Sequence, residues 1–434
     1  MGQVGQRLRL VDGVRTPRPP ASPPPVGGGS YASAEAYVAA RRPLAPVHLF
    51  RPHVVRCAAQ WFLRHFPGTV LYAVKANPSP TVIRALGAGG LRHFDVASAA
   101  EVALIAGLKP KARLHFMHPV KAREAIAAAY TRYGVRDYVA DSEDEIRKIV
   151  QETGGARDLG IVLRLAVAND KALYDLSGKF GADVPEAARL LTLARPLAAR
   201  VGLAFHVGQQ TMDSAAYANA LDRVGEVARL AGVVPDIVDV GGGFPVSFPG
   251  CVPPPLLGYL DTIRARYESL AFPKTTQLWC EPGRALVQES GSLITRVLLR
   301  EGDTVYLNEG VHGALFDACT SDLAWPARLI RPDGPPPEPT LRSFTIHGPS
   351  GEPEDRWQRT LPLPTDTREG DWLEIGQMGG YGLALRRGAA ATETDAPLAR
   401  VDDAPMLTTP GFWNDEGFDP GAATSGGRGA LVAM

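Results

Sequence analysis

The run Thr69-Val70-Leu71-Tyr72-Ala73-Val74-Lys75-Ala76-Asn77-Pro78 is an apolar stretch that ends in a lysine and is closed by an Asn-Pro break. This pattern predicts a buried strand that stops where its last side chain can face a cavity. A lysine in that position loses hydration, which favours the neutral amine, the form that attacks a carbonyl carbon. The alternative is a lysine that caps a strand at the surface, so the surrounding sequence has to decide between the two.

Seven more β-like runs follow the first one, Leu71–Val74, and segments of helical length and periodicity separate most of them. The further runs are His93–Val96, Leu114–Met117, Asp137–Ala140, Ile161–Leu165, Leu203–Val207, Ile237–Val240 and Gln277–Cys280. The helical segments are Ala99–Ala106, Lys121–Ala129, Glu143–Glu152, Pro185–Ala199 and Ser214–Leu230. Eight strands that alternate with helices predict an α/β fold with an eight-stranded (β/α)8 TIM-like barrel, and a doubly wound open sheet is the alternative.

The chain changes character after about residue 285, where Gly and Pro become frequent and strand-like runs dominate. These runs are Ser292–Leu299, Thr304–Leu307, Ser343–Ile346 and Trp372–Ile375, and Leu44–Phe50 is a further candidate strand ahead of the barrel. They predict an all-β C-terminal domain. We place the barrel at residues 46–276, the β-domain at residues 31–45 plus 277–418, a mobile Pro/Gly-rich arm at 1–30 and a flexible tail at 419–434.

Composition and charge are those of an ordinary globular protein of two or more domains. The 434 residues are 45% hydrophobic and 21% charged, and 46 basic side chains balance 46 acidic ones. This balance indicates neither a nucleic-acid partner nor an anionic membrane. The four cysteines form no CxxC pair, no apolar run reaches the roughly 18 residues that span a bilayer, and the N-terminus lacks a signal-peptide core. We therefore expect a cytoplasmic protein with reduced thiols, no membrane segment and no bound metal.

Reactive side chains lie at the ends of several predicted barrel strands, where barrel enzymes build their active sites. They are Lys75, Asp95, Arg164, His206, the triple glycine Gly241-Gly242-Gly243 and the run Glu281-Pro282-Gly283-Arg284. The glycines let backbone N–H groups approach phosphate oxygens, and Arg284 can add a bidentate contact. Each residue alone also fits a structural role, but a lysine, a phosphate cradle and a carboxylate at one barrel mouth together predict a site for pyridoxal 5'-phosphate (PLP).

Glu281 indicates the type of reaction. A carboxylate beside the pyridine nitrogen keeps that nitrogen protonated, so that the ring can accept an electron pair from Cα. A racemase that avoids full carbanion stabilisation would favour a cationic partner there. The sequence therefore favours decarboxylation.

These residues resemble the fold-type III PLP-dependent decarboxylases, the ornithine/diaminopimelate/arginine decarboxylase family, and most closely its ornithine decarboxylase branch. The resemblance covers about residues 45–415 and implies an alanine-racemase-like barrel with a β-domain. Seven motifs occur in the family's order: Tyr72–Asn77, Phe94–Ser98, Leu176–Gly181, His206–Gly208, Asp239–Pro245, Glu281–Arg284 and Gly379–Gly382.

The resemblance implies a role for each matched residue. Lys75 would form the internal aldimine, His206 would stack on the pyridine face, and Glu281 would stabilise the quinonoid; these three are the predicted catalytic residues. The predicted cofactor-binding residues are Lys75, Asp95, Arg164, His206, Gln209, Gly241, Gly242, Gly243, Glu281, Pro282, Gly283, Arg284 and Tyr381. The resemblance also implies a homodimer with shared active sites, each completed by the segment near Gly348 of the other chain.

The departures from the family's pattern lie in the substrate-facing parts. Gly351, in the run Gly348-Pro349-Ser350-Gly351-Glu352, stands where the family has the cysteine that protonates Cα after carbon dioxide leaves. Glu352 replaces an aspartate and would shorten the cavity, and Gln209 replaces a smaller serine near the expected phosphate. The segment 410–414 only loosely matches the family. The acidic residues expected to face a cationic substrate group are Asp317, Asp322, Glu352 and Asp355.

Three hypotheses follow. The first is a decarboxylase of an ornithine- or lysine-like diamino acid, or a related amino acid, in which water, Ser350, Cys319 or Lys75 returns the proton. The second is a reaction diverted to transamination or oxidation, with a carbonyl product. The third is a PLP-binding regulatory paralogue without turnover, which Gly351 suggests and the surviving cofactor motifs oppose.

Overall fold

The computed structural model describes residues 29–167, 178–382 and 398–412. Its strands are β1 (Ser30–Tyr31), β2 (Val47–Phe50), β3 (Thr69–Ala73), β4 (His93–Val96), β5 (Arg113–Phe116), β6 (Asp137–Ala140), β7 (Gly160–Arg164), β8 (Arg200–Ala204), β9 (Ile237–Asp239), β10 (Gln277–Cys280), β11 (Gly291–Glu301), β12 (Thr304–Leu307), β13 (Ala327–Ile330), β14 (Leu341–His347), β15 (Leu361–Pro364), β16 (Trp372–Ile375) and β17 (Leu398–Val401). The helices are α1 (Ala34–Arg41), α2 (Pro52–His65), α3 (Pro80–Ala88), α4 (Ala99–Leu108), α5 (Arg123–Tyr133), α6 (Glu143–Glu152), α7 (Val184–Ala194), α8 (Ala215–Ala231), α9 (Leu256–Ser269), α10 (Arg284–Val287) and α11 (Phe316–Thr320).

Strands β3 to β10 form a closed barrel in which every neighbouring pair is parallel. The barrel closes where β10 pairs with β3, with Trp279 opposite Thr69. The predicted TIM-like barrel is therefore confirmed, and the open-sheet alternative is wrong. All eight predicted runs correspond to barrel strands, with ends that agree or differ by at most three residues.

The barrel interior is a packed layer of side chains. Leu71, Met117, Val139, Val162, Ala204, Ile237 and Trp279 form one buried cluster. Most of the other apolar side chains of these strands belong to a separate cluster that they share with the surrounding helices. Burial on both faces explains why the strands read as continuous apolar runs in the sequence rather than as alternating ones.

Three barrel helices begin with the same capping arrangement. Ser98 accepts a hydrogen bond from Glu101 N–H at 3.2 Å, and Ser142 accepts one from Glu145 N–H at 3.4 Å. Asp183 does the same for Glu186 N–H at 2.9 Å. A polar side chain that satisfies an early helix N–H favours helix initiation at that point. In α4 and α6 only two residues separate the helix from the preceding strand.

The second sheet has nine strands in the order β1-β17-β2-β11-β12-β14-β15, and β16 joins β11 to β13. This sheet is the predicted β-domain, but the predicted boundaries need correction. Gln277–Cys280 belongs to the barrel, since it pairs with β3 and β9, whereas Val47–Phe50 pairs with β11 and β17 in the second sheet. The hydrogen-bond partners of a strand decide which sheet it joins, and the residue pattern of the strand does not reveal those partners.

Arg51 links the second sheet to the first barrel helix. It lies between β2 and α2, is 1% exposed, and donates to Glu374 Oε1 at 2.9 Å and to Asp403 Oδ1 at 2.9 Å. Its third donor reaches Ser292 Oγ at 3.0 Å. A buried arginine requires this degree of pairing because an unpaired charge there would be costly.

Several predictions concern residues outside the described ranges. The arm at 1–30 lies outside them apart from its last two residues, and the tail at 419–434 lies wholly outside. Leu176, Ser177, Trp413 and Asn414 are also outside. In the part of the chain that the structure describes, no helix combines the length and apolarity that a bilayer crossing requires.

Candidate active site

A cavity opens at the carboxyl ends of the barrel strands, and most of the predicted cofactor residues line it. Those that do are Lys75, His206, Gln209, Gly242, Gly243, Glu281, Gly283, Arg284 and Tyr381. Ala73, Gln210 and Phe244 also line the cavity and were not predicted. The convergence follows from the barrel, because parallel strands bring their carboxyl ends to one rim.

Lys75 lies on a single turn of 3₁₀ helix, Val74–Ala76, directly after β3. The loop 379–381 holds this turn in place. Asn77 donates its amide to Gly379 O at 2.7 Å, and Tyr381 N–H donates to Ala76 O at 2.7 Å. The lysine turn is thus fixed to the loop that also positions Tyr381, which is why two distant motifs meet.

Asp95 on the neighbouring strand is the partner of Lys75. The Nζ atom lies 3.3 Å from Oδ2 of Asp95, whose side chain is 1% exposed. This carboxylate raises the pKa of Lys75 above its usual value, Glu281 adds to the effect, and burial opposes it without prevailing. The expectation of a neutral amine is therefore wrong for the protein alone, because charge attraction here outweighs the loss of hydration.

His206 is a neutral imidazole with a defined tautomer. Burial lowers its pKa well below the usual value, and the positive charges of Arg164 and Lys75 lower it further. Its Nδ1 accepts a hydrogen bond from Gly208 N–H at 3.0 Å, so the proton of the neutral ring resides on Nε2. A neutral, flat ring at the cavity wall is suited to stack on an aromatic ligand.

The triple glycine packs backbone against backbone. Gly241 and Gly243 have φ values of +66° and +100°, a region that side chains rarely tolerate. A Cβ atom at Gly242 would lie 2.7 Å from Glu281 O, and one at Gly243 would lie 2.5 Å from Gly208 O. No larger residue fits without displacing the neighbouring loops, so the cavity wall here is bare backbone.

Asp239 and Glu281 form a buried pair of carboxyl groups at adjacent strand ends. Burial raises the pKa of Asp239 to about 7, although Gly241 N–H donates to its Oδ1 at 2.8 Å and opposes the shift. Burial also raises the pKa of Glu281 well above its usual value, and Asp239 and Asp95 add to this. The pair therefore retains a proton more readily than exposed acids do. Asp239 lies within the motif Asp239–Pro245 but is not among the predicted site residues, since only the fold places it beside Glu281.

Arg284 lines the cavity and has a carboxylate partner. Its Nη1 and Nη2 atoms each lie 3.3 Å from Oδ2 of Asp317, and Nη2 lies 3.5 Å from Oε1 of Gln209. Its guanidinium lies over the Tyr381 ring at 4.7 Å. Asp317, predicted to bind substrate, is thus paired with the arginine predicted to bind the cofactor.

The structure does not bring the other three predicted substrate residues to the cavity of their own chain. Asp322 is exposed and ion-paired with Arg359, which lowers the pKa of Asp322. Asp355 is buried and accepts hydrogen bonds from Val311 N–H at 2.7 Å and Ser350 N–H at 2.9 Å, so it braces its own loop. Glu352 is exposed on that loop.

Position 351, where the family has its cysteine, has free space around it, and Cys319 is a poor replacement for the thiol. A Cβ atom at Gly351 would have no atom within 4 Å, and the residue is exposed. Cys319 is 2% exposed, and burial raises its pKa to about 12. It does not line the cavity. The structure therefore offers space at 351 but no reactive thiol at the site.

The polar atoms of the site fit an anionic aromatic ligand such as PLP. Among the described residues, four buried polar atoms at this end of the barrel have no hydrogen-bond partner: Asp95 Oδ1, Arg164 Nε, Asp239 Oδ2 and Arg284 Nε. Such atoms are costly unless a ligand or water satisfies them. The backbone cradle could bind a phosphate, and Lys75 could bond to a carbonyl carbon. The Asp239–Glu281 pair could bind a protonated ring nitrogen.

Comparisons with known proteins agree with this chemistry. The family model for the pyridoxal-binding domain of pyridoxal-dependent decarboxylases matches residues 52–288. A lysine/ornithine decarboxylase of Selenomonas ruminantium is 33% identical over 332 residues, which span 74% of this chain and 81% of that protein. Antizyme inhibitor 2 of Xenopus laevis is 32% identical over 361 residues, 74% of each chain.

A solved structure extends the similarity to three dimensions. The crystal structure of SrLDC, the lysine decarboxylase of Selenomonas ruminantium, in complex with PLP and cadaverine matches with a TM-score of 0.71 at 28% identity. The match covers 83% of this chain and 91% of that one. The similarity therefore includes both the barrel and the second sheet.

Proposed function

The chain belongs to the fold-type III pyridoxal-dependent decarboxylases, near the ornithine decarboxylase branch, and on this premise we propose that it decarboxylates an ornithine- or lysine-like diamino acid. It is a PLP-dependent amino-acid decarboxylase. The observation that supports the proposal best is the arrangement of Lys75 beside Asp95 on one side of the cavity, with the Asp239–Glu281 carboxyl pair at adjacent strand ends.

When bound, PLP supplies a ring that accepts the electron pair released at Cα as carbon dioxide leaves. The residues of this chain bind and orient it. Lys75 would bind the aldehyde carbon, Glu281 would hold the ring nitrogen in its protonated form, and neutral His206 would pack on the ring face. Gly243, Arg284 and the Tyr381 hydroxyl would hold the phosphate, since all three residues line the cavity.

The remaining predicted residues complete this arrangement. Asp95 and Arg164 set the charge around Lys75, and Gln209 lies at the phosphate end. Gly242 and Gly283 line the cavity, and Gly241 and Pro282 precede them directly in the chain. Tight backbone packing, described above for Gly242 and Gly243, fixes the position of this part of the cavity wall.

Lys75 is the group that returns the proton to Cα. Asp95 favours its ammonium form, so it holds a transferable proton at the cavity. Cys319 is less suitable, because its thiol is buried outside the cavity. Ser350 lies on the exposed loop, and water is the remaining alternative.

The distal ammonium of the substrate binds a carboxylate contributed across a two-fold interface. Within one chain, Asp317, Asp322 and Asp355 already have partners: Arg284, Arg359 and two backbone N–H groups. Glu352 is exposed on the loop near Gly348 and has no ion-pair partner in the described part of the chain. We therefore favour a cytoplasmic homodimer in which this loop completes the other chain's site.

A non-catalytic paralogue is the second candidate. Gly351 in place of the thiol and the similarity to an antizyme inhibitor favour it. Diversion to a carbonyl product is a third outcome of the missing thiol. The retained Lys75, His206 and Glu281 around one cavity oppose loss of turnover.

The deciding experiment incubates the PLP-loaded protein with a panel of L- and D-amino acids and identifies products by mass. We expect carbon dioxide and a diamine from ornithine or lysine, and no product from Lys75→Ala. A carbonyl product or pyridoxamine phosphate would instead indicate the diverted reaction. Bound PLP without any product across the panel would refute decarboxylation and favour the paralogue.

A further inference from the structure

The two cationic side chains that line the cavity each have a carboxylate partner within the protein. Lys75 is paired with Asp95 and Arg284 with Asp317, and His206 is neutral. Among the described lining residues, every cation therefore already has a carboxylate partner, with which an anionic ligand would have to compete. A phosphate monoester carries close to two negative charges at neutral pH, so its binding depends strongly on the charge that receives it.

The Arg284–Asp317 pair is a built feature of the fold. Both side chains are nearly inaccessible, at 6% and 7% exposure. The carboxylate oxygen Oδ2 lies between Nη1 and Nη2 at 3.3 Å from each, and so covers the end of the guanidinium. Gln209 Oε1 approaches Nη2 from another side, and the Tyr381 ring packs on one face.

We propose that Asp317 sets the strength with which this protein holds the phosphate of its cofactor. Its carboxylate competes with the phosphate for Arg284 and cancels the charge that would attract it. The protein then retains PLP less tightly than a variant with a neutral residue at 317, and cofactor loading follows the supply of free PLP. Gln209 acts in the same direction, because its amide oxygen is a second internal acceptor for Arg284.

This inference rests on the proposed function, which assigns Arg284 to the phosphate end. A competing physical role for Asp317 is to orient Arg284 toward the phosphate, as a positioning residue would. The two roles give opposite signs. Removal of the charge strengthens phosphate binding if Asp317 competes and weakens it if Asp317 orients.

The test measures dissociation constants for PLP and for pyridoxal, which lacks the phosphate, by equilibrium dialysis. It compares the full-length protein with Asp317→Asn and, as a matched control, Asp322→Asn. The control removes the same charge five positions further along the chain, from an exposed pair with Arg359. We expect Asp317→Asn to bind PLP about tenfold more tightly, equal to about 1.4 kcal/mol. Pyridoxal binding and the Asp322→Asn protein should be unchanged.

Two results would overturn the proposal: unchanged PLP affinity, or weaker PLP affinity, in Asp317→Asn. Thermal unfolding of the apo-protein checks that the variant folds, and Asp317→Ser serves as a second neutral variant if it does not. Arg284→Gln tests the underlying assignment separately. If that variant binds PLP as tightly as the parent protein does, Arg284 does not bind the phosphate, and this conclusion is independent of the result for Asp317→Asn.

Discussion

The Lys75 amine lies 3.3 Å from a carboxylate oxygen of Asp95, a residue at the end of the adjacent barrel strand. The strand register places Ala73, two residues before the lysine, opposite Asp95. Asp95 is buried, so its charge is poorly screened and acts strongly on the amine. The position of one carboxylate thus decides the protonation state of the lysine that the sequence made prominent.

Replacement of Asp95 by a neutral residue should make Lys75 lose its proton more easily. In the apo-protein, Asp95→Asn should lower the pKa of Lys75 by roughly 1 to 3, the range for loss of an opposite charge at this distance. The pH dependence of lysine modification by an amine-reactive reagent measures it, with Lys75→Arg as the blank. Glu281→Gln should lower the same pKa less, because Asp95 is the larger cause. Equal effects, or the reverse order, would contradict the structure.

A thiol at position 351 should restore fast proton return. The site is exposed and a Cβ there has no neighbour within 4 Å, so Gly351→Cys should fold as the parent does. If the rate depends on protonation at Cα, we expect kcat to rise by about 10-fold or more, given typical general-acid contributions. Ser350→Cys, one residue earlier, is the control. Steady-state kinetics with product analysis would show no gain in Gly351→Cys if another group already supplies the proton efficiently.

The Asp239–Glu281 pair should make the apo-protein less stable as pH rises. The folded-state pKa of Asp239 is about 7, above its usual value of 3.8, so between these values the folded protein binds more protons than the unfolded chain. Its contribution to stability is therefore present at low pH and lost as pH rises toward 7, by at most about 1.4 kcal/mol per pH unit.

Urea unfolding from pH 4.5 to 7.5 measures this contribution as the difference between the parent protein and Asp239→Asn. The difference should fall with rising pH. Asp322→Asn should give no comparable slope over this range, because Arg359 lowers the pKa of Asp322 below its usual value of 3.8, so its carboxylate is already ionised in the folded and the unfolded protein. A pH-independent difference for Asp239→Asn would mean that the pair retains no additional proton.

The contact between Arg51 and Glu374 should stabilise the junction of barrel and second sheet. Both side chains are at most 1% exposed, so Arg51→Met leaves a buried charge with one partner fewer. We expect a loss of about 3 kcal/mol in unfolding free energy, measured by chemical denaturation. Arg359→Met breaks the exposed pair with Asp322 and should change stability far less. Similar losses in both variants would show that the buried Arg51 pair contributes no more to the free energy of unfolding than the exposed pair does.

Local sequence was sufficient for the architecture and for most of the cavity wall. Runs such as Asp137–Ala140 and Glu143–Glu152 were predicted with the ends that the structure has, because burial and helix capping are encoded within a few neighbouring residues. The Gly241-Gly242-Gly243 run and the motif ending in Arg284 were likewise recognisable, since a backbone wall requires glycine wherever it occurs. Their order along the chain also indicated the family to which the chain belongs.

Tertiary structure alone decided the charge states and pairings within that wall. The lysine at position 75 was identified from sequence, yet its ammonium form depends on Asp95, which is 20 residues away in the chain and 3.3 Å away in space. Likewise Asp317 was expected to meet substrate and instead meets Arg284, and Asp239 became part of the site only through the closure of the barrel. Burial patterns are local properties of the sequence, whereas electrostatic interactions depend on distances between residues that only the fold brings together.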